Sequence, residues 1–107
     1  MSVRKFAEKV VELARSIPEG RVSTYGRIAR AAGGGGMAAQ SITHILDRAE
    51  RAGARGIPFH RIVYADGRIW VDDAHRAERL RLYKREKIGV DERGRITNFR
   101  KVLYEFR

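Results

Sequence analysis

Apolar side chains recur every three or four residues along several stretches of this chain, the pattern of a helix with one buried face. The first stretch is predicted to form a helix from Ser2 to Ser16, with an inner face of Phe6, Val10, Leu13 and Ile17. Spacing and capping residues predict further helices at Tyr25 to about Ala32, about Met37 to Arg51, Ala74 to about Lys87, and a last one capped by Asn98. The chain is therefore expected to be mostly helical.

Residues that favour turns and caps mark several helix ends. Pro18 and Gly20 end the first helix, and Gly33 stops the second. Ser23 or Thr24 offers an N-cap for the second helix, and Asp72 or Asp73 offers one for the helix from Ala74. The inward positions expected on the later helices are Ile42, Ile45, Leu46 and Ala49, then Ala77, Leu80 and Tyr83, and finally Phe99, Val102, Leu103 and Phe106.

Two short β elements are predicted in the second half of the chain. The segments Arg61 to Ala65 and Arg68 to Val71 flank Asp66-Gly67, a strong signal for a two-residue β-hairpin turn. Val90 and Ile96 flank a second turn at Arg93-Gly94, which suggests a small wing. With the second and third helices joined by a glycine-rich turn, we expect a single domain over residues 1–107. Its predicted fold class is α/β, mostly α: a winged helix-turn-helix-like domain with a small β-hairpin.

Charge indicates the kind of partner. Lys and Arg number 23 against 13 acidic residues, a net charge of +10 over 107 residues. A basic domain of this size suggests a polyanionic partner, most simply nucleic acid, although a solvated arginine-rich surface is the alternative. The chain has no Cys, which excludes disulfides, thiolate metal sites and a cysteine nucleophile. No apolar run approaches the roughly 20 residues that span a bilayer, so we expect a cytoplasmic protein with no membrane partner.

Neither the glycine tract nor the histidines predict a cofactor. A phosphate-binding loop at Gly33 to Gly36 would require a following Gly-Lys-Ser/Thr, which is absent, so a flexible connector is the favoured interpretation. His44, His60 and His75 lack the spacing of metal ligands. We therefore expect no metal and no cofactor.

Two motifs, IPEGRVSTYGRIA at residues 17–29 and IPFHRIV at residues 57–63, carry a family resemblance. In order and spacing they resemble the C-terminal DNA-binding domain of O6-alkylguanine-DNA alkyltransferases. In those repair enzymes the second motif reads Pro-Cys-His-Arg, and its Cys accepts the alkyl group. Phe59 stands at that position here, so the chain is more similar to the alkyltransferase-like proteins, which lack the Cys. Those proteins bind alkylated guanine in DNA, flip it out and hand the lesion to nucleotide excision repair.

The chemistry of Phe59 agrees with this resemblance. Dealkylation at a guanine O6 requires a soft, strong nucleophile such as a thiolate. A benzyl side chain cannot attack carbon, and no other Cys is available. Phe59 can instead offer aromatic surface to a base or its alkyl group.

The resemblance also implies roles for residues that would contact DNA. Tyr25, between Thr24 and Gly26, matches the tyrosine that presses on the 3′ phosphate of the target nucleotide and helps to rotate it. Ala38, Ala39, Ser41 and Thr43 match the small residues that let the recognition helix enter the minor groove. Gln40 stands where the family has an arginine finger. Either Gln40 fills the gap left by the flipped base, or Arg48 or Arg51 substitutes for it.

A second group matches the enzymes' catalytic site and the wall of their base pocket. The vestigial site would comprise Pro58, Phe59, His60, Arg61 and Glu86, and the lesion pocket Tyr25, Phe59, Trp70 and Val71. We expect His60 and Glu86 to form a structural bridge, because there is no thiol for them to activate. Arg61 is expected to hold the loop behind the site by bonding carbonyls or an acid.

The expected function is non-enzymatic recognition of O6-alkylguanine in duplex DNA, through minor-groove binding and base flipping. The expected partners are that DNA and nucleotide excision repair proteins, and the protein is expected to act as a monomer associated with the nucleoid. One alternative is a general DNA-binding or regulatory domain that kept the scaffold and lost base flipping, which Gln40 favours. Another is an enzyme that uses His60 and Glu86 as acid and base.

Overall fold

The computed structural model describes residues 3–34 and 38–106 of the chain. Its elements, in chain order, are α1 (Val3–Ser16), β1 (Ser23–Thr24), α2 (Tyr25–Ala31), a first 3₁₀ helix (Ala38–Ser41), α3 (Ile42–Arg51), a second 3₁₀ helix (Phe59–Arg61), β2 (Ile62–Val63), α4 (Arg76–Arg85) and α5 (Phe99–Val102). Ser2, Gly35, Gly36 and Met37, which the sequence placed in a helix and in the glycine connector, lie outside the described residues. The mostly helical fold class is confirmed.

Helices α1, α2 and α3 pack around the larger core, because each presents apolar residues on one face. Their fully buried side chains are Val10, Ala14, Ile17, Ile28, Ala29, Ala32, Ile42 and Leu46, and Ile62 of β2 joins them. Burying an isoleucine or leucine stabilises the fold by about 1.5–3 kcal/mol. The inner faces predicted for α1 and α3 are confirmed, since Ile45 and Ala49 are half-buried beside these residues.

A smaller second core lies on the other side of the strand pair. It contains Val22, Val63, Tyr83, Ile88 and Ile96. Strand β1 pairs in parallel with β2, in the register Ser23 with Ile62 and Thr24 with Val63. Neighbouring residues of a strand face opposite sides, so Ile62 packs in the larger core and Val63 in the smaller one. The strand pair therefore joins the helix-turn-helix half to the half that contains α4.

The two segments expected to form a hairpin around the Asp66-Gly67 turn share one backbone hydrogen bond beside the turn and form no regular strand pair. The turn forms, since Tyr64 N donates to Arg68 O at 2.9 Å and Gly67 has φ +87°. The segment before it pairs with β1, however, and Arg68 after it forms an antiparallel bridge with Arg95. Paired with β1, the segment places Ile62 in the larger core and Val63 in the smaller one. The predicted small wing is present: Val90 bridges Ile96 around the Arg93-Gly94 turn.

Three helices differ from their predicted extents. Within the helix expected from Met37, the described part is a 3₁₀ helix from Ala38 to Ser41 and becomes α-helical from Ile42. The Ser41 side chain makes no capping hydrogen bond. Helix α4 is shorter than the predicted Ala74 to Lys87, because Lys87 takes a left-handed φ of 61° and ends it. Asp72 accepts a hydrogen bond from His75 N at 2.9 Å, so it caps the turn before α4.

The inward face predicted for α4 is wrong in part. Tyr83 is buried, but Ala77 is exposed and Leu80 is 42% exposed. The second core is small, and α4 contacts it along a narrow stripe only. At the C-terminus, α5 ends at Val102 because Leu103 leaves the helix to pair with Val22, so Leu103 and Phe106 lie outside it. Asn98 precedes α5 in a left-handed conformation without a side-chain cap.

Among the described residues, no helix is long and apolar enough to cross a membrane.

Candidate functional site

The central feature of the site is the buried carboxylate of Glu86, which directly follows α4. One oxygen accepts from His60 Nε2 at 2.6 Å and from Arg61 Nη2 at 2.9 Å. The other accepts from Arg61 Nε at 3.0 Å and from Gly20 N at 3.0 Å. Arg61 also donates to Ile17 O at 3.0 Å, so the carbonyl and acid contacts expected of it are present. This network ties the Phe59–Arg61 turn to the end of α4 and to the loop after α1.

Both ends of the His60–Glu86 contact have shifted pKa values. Burial alone would raise the pKa of Glu86, but hydrogen bonds from Arg61, His60 and Gly20 lower it to about 2. Burial lowers the pKa of His60 below its ordinary value, although the neighbouring Glu86 opposes that shift. At neutral pH we therefore assign a neutral imidazole that donates its Nε2–H to an ionised carboxylate. This arrangement fits a structural bridge.

Tyr25 begins α2, and Thr24 caps that helix as predicted, since its Oγ1 accepts from Arg27 N at 3.1 Å. The Tyr25 ring is half-buried and lies 5.5 Å from the ring of Tyr64, centroid to centroid. Burial raises the pKa of Tyr25 while the Thr43 side chain opposes the shift, so the hydroxyl stays protonated at neutral pH. Tyr25 thus presents a neutral hydrogen-bonding group at the start of α2.

Phe59 is half-buried in the second 3₁₀ helix and borders two neighbouring cavities. The larger, about 440 Å³, lies between α3 and α4 and is lined by Phe59, His60, Ile57, Leu82 and several charged side chains. The smaller, about 80 Å³, is bordered by Tyr25, Thr43, Leu46 and Ile62. Both share Phe59, Trp70, Asp47 and Arg79. Only the larger one falls within the range of about 300–1,000 Å³ that is usual for ligand pockets.

Trp70 and Val71, the two residues predicted for the pocket wall, face different sides of the chain. Trp70 faces the Phe59 cavities, whereas Val71 lines a groove between α4 and the wing. Val71 therefore does not line either cavity beside Phe59, and its place in a lesion pocket stays a prediction.

Arg79 is the pocket residue that the sequence interpretation missed. Its guanidinium lies 5.7 Å from the centroid of the Trp70 ring and donates to Trp70 O at 3.2 Å, so it holds the indole in place. A signal was present, because Arg79 stands four residues before the buried Tyr83 and so shares its helix face. Asp47, an exposed residue of α3, also lines both cavities.

The residues expected to contact DNA lie on the exposed surface of α3 and of the turn before it. Gln40, Thr43 and Arg48 are exposed, while Ala39 and Ser41 are half-buried; of Ala38 only the backbone is described. Gly26 on α2 has open space where a Cβ would project. In the described part of the chain, no three His, Asp or Glu side chains converge to hold a metal ion.

A model of the family described as 6-O-methylguanine DNA methyltransferase, DNA binding domain, matches residues 5–88. The chain belongs to this family. No curated protein matches the chain. Among solved structures, the chain is similar to two structures of the alkyltransferase-like protein of S. pombe. In one of them, Atl1 is bound to damaged DNA containing O6-carboxymethylguanine. The two chains superpose with a TM-score of 0.79 at 24% sequence identity, and the match covers 99% of this chain and 100% of that chain. The other, in complex with DNA, has a TM-score of 0.69 at 25% identity with the same coverage.

The similarity to methyltransferases themselves covers a smaller part of the matched protein. A variant of the M. tuberculosis O6-methylguanine methyltransferase superposes with a TM-score of 0.60 at 24% identity, over 86% of this chain but 55% of that one. The methyltransferase-family domain of this chain thus spans about half of that protein, whereas the alkyltransferase-like structures match it along their whole length. The resemblance to alkyltransferase-like proteins is confirmed.

Proposed function

We propose that this protein recognises O6-alkylguanine in duplex DNA without transferring the alkyl group. The observation that carries the proposal is Phe59. It stands beside a cavity of about 440 Å³, where the His60–Glu86–Arg61 network is intact and the chain has no thiol. The similar S. pombe Atl1 is bound to damaged DNA containing O6-carboxymethylguanine, which supports the same class of ligand.

DNA would be held by the surface that α2 and α3 expose. The side chains before and at the start of α3 are small, which suits the narrow minor groove. Tyr25 would press on the phosphate beside the target nucleotide, since its neutral hydroxyl can donate a hydrogen bond to a phosphate oxygen.

The flipped base would enter the cavity between α3 and α4. Phe59 and Trp70 offer it aromatic faces, and Arg79 keeps the indole positioned. Removing a base from the stack costs a few kcal/mol and least for a damaged or mispaired one, which contributes to selectivity. Gln40, exposed before α3, would fill the space left behind, with Arg48 or Arg51 as the alternative.

Downstream, the bound complex would mark the lesion for nucleotide excision repair proteins. The protein would do so as a monomer in the nucleoid. A competition experiment tests the core of the proposal: an unlabelled duplex with one O6-methylguanine should displace a labelled unmodified duplex at lower concentration than its unmodified counterpart does. Equal competition would leave only the second candidate.

That second candidate is a general DNA-binding or regulatory domain. Gln40 favours it, because an uncharged, shorter side chain replaces the family's arginine finger. The segment 38–51, which includes Gln40, also carries no net charge, because Arg48 and Arg51 are balanced by Asp47 and Glu50. This segment therefore lacks the positive charge that an arginine finger would add.

After incubation with a duplex that contains O6-methylguanine, the intact mass of the protein should be unchanged. No thiolate is available to attack the methyl carbon, because Phe59 occupies the acceptor position and Cys is absent, and the ring nitrogen Nε2 of His60 is held by Glu86. An active methyltransferase is the positive control, since it should gain one methyl group per molecule. A methylated form of this protein would overturn the non-enzymatic assignment.

A further inference from the structure

The exposed face of α4 carries an unusual concentration of positive charge. Residues 76–87, which comprise α4 and the two residues after it, contain six basic and two acidic residues. One of the basic residues, Arg79, faces the cavity beside Phe59, and one of the acids, Glu86, is paired with Arg61. By contrast, residues 38–51, which include the family's recognition helix, contain two basic and two acidic residues. The charge expected to attract DNA is therefore concentrated on α4 and nearly absent from the segment 38–51.

Three of these basic side chains form one stripe. Arg81, Lys84 and Arg85 stand at i, i+3 and i+4, so they share a helix face, opposite the buried Tyr83. All three are exposed, and their side chains make no hydrogen bond or ion pair within residues 3–34 and 38–106. The fold itself therefore gains no electrostatic contact from them.

The helix accommodates the stripe. Lys84 and Arg85 lie in the last turn of α4, where the helix dipole favours positive charge, and Glu78 stands three residues before Arg81. Arg81 still repels Lys84 and Arg85, three and four residues after it, and a bound polyanion would reduce that repulsion.

We propose that Arg81, Lys84 and Arg85 form a second DNA-binding surface that contacts the phosphodiester backbone of duplex DNA. The opposite side of α4 contributes Arg79 and Leu82 to the cavity beside Phe59, so one helix would connect backbone binding to the pocket. The phosphates belong either to the flanks of the bound duplex or to a second duplex. This surface acts on unmodified DNA too, and so extends the proposed function without depending on base flipping.

The test compares two triple variants that remove the same charge. One is Arg81→Gln, Lys84→Gln and Arg85→Gln, since Gln is a good helix former. The control is Lys9→Gln, Arg100→Gln and Lys101→Gln, three exposed residues on α1 and α5. Affinity for an unmodified duplex is measured at several salt concentrations, after thermal melts show both variants folded. The slope of log affinity against log salt should fall by roughly 0.9 for each phosphate that the protein no longer neutralises, about 2 to 3 in total, for the α4 variant only.

Two further arms identify the source of the phosphates. If they flank the bound site, shortening the duplex should abolish the difference between the variants. If they belong to a second duplex, the wild type should bring two differently labelled duplexes together, and the α4 variant should not. Either result supports the surface. An equal change of slope in both triple variants would overturn it, because net charge alone would then explain binding. The preference for O6-methylguanine is scored separately, so loss of that preference would count against the proposed function only.

Discussion

Glu86→Ala should lower the free energy of unfolding by about 3–5 kcal/mol, the usual effect of removing one partner from a buried ion pair. The variant would leave the buried Arg61 guanidinium without its carboxylate and deprive His60 and Gly20 N of their acceptor. A domain of this size loses roughly 4–8 °C of melting temperature per kcal/mol, so thermal denaturation should show a decrease of at least about 12 °C.

Glu92→Ala is the matched control, because Glu92 is exposed on the wing and should change stability by less than about 0.5 kcal/mol. Equal melting temperatures for the two variants would contradict the central place of Glu86.

The pKa of Glu86 adds a pH dependence to this result. It is lowered in the folded state to about 2 from an ordinary value of 4.5. The contribution to stability is therefore present in full above pH 4.5 and is lost as the pH falls towards 2. Glu86→Gln, which cannot ionise, should lack this part of the acid-induced loss of stability.

Tyr25→Ala should weaken binding to a duplex with O6-methylguanine by about 10- to 100-fold. This range corresponds to the free energy of a few kcal/mol that is needed to extrude a base from the stack. Binding to unmodified duplex should fall much less, because only the flipped complex depends on the pressure of the ring against the phosphate. The measurement is a titration of both duplexes at one fixed salt concentration.

Two variants separate this role from packing. Tyr25→Phe keeps the ring against Tyr64 and removes only the hydroxyl, so it should lose part of the affinity. Tyr104→Ala removes another half-buried tyrosine from the same core and should leave the preference for modified DNA unchanged. If Tyr25→Ala weakened both duplexes equally, Tyr25 would be a simple phosphate anchor.

The sequence predicted the elements that depend on local information. Periodic apolar positions identified α1 and α3 with their buried faces, and Thr24 was correctly offered as the cap of α2. The contacts of Arg61 followed from the family motif.

Failures occurred where partners distant in the chain decided the outcome. Ile62 and Val63 pair with Ser23 and Thr24, about 40 residues earlier in the chain. The strong local turn signal at Asp66-Gly67 had predicted that they would pair with the segment after that turn. Ala77 and Leu80 had helical spacing, but the second core was too small to cover them. Arg79 was missed because its position depends on how α4 packs beside Trp70.

The most direct test of lesion recognition is the ratio of two dissociation constants. Duplexes of identical sequence, with guanine or O6-methylguanine at one position, are titrated at the same salt concentration, because phosphate contacts make affinity depend strongly on salt. We expect the modified duplex to bind at least about tenfold more tightly, a difference of about 1.4 kcal/mol. Equal dissociation constants would contradict lesion recognition and leave a general DNA-binding domain.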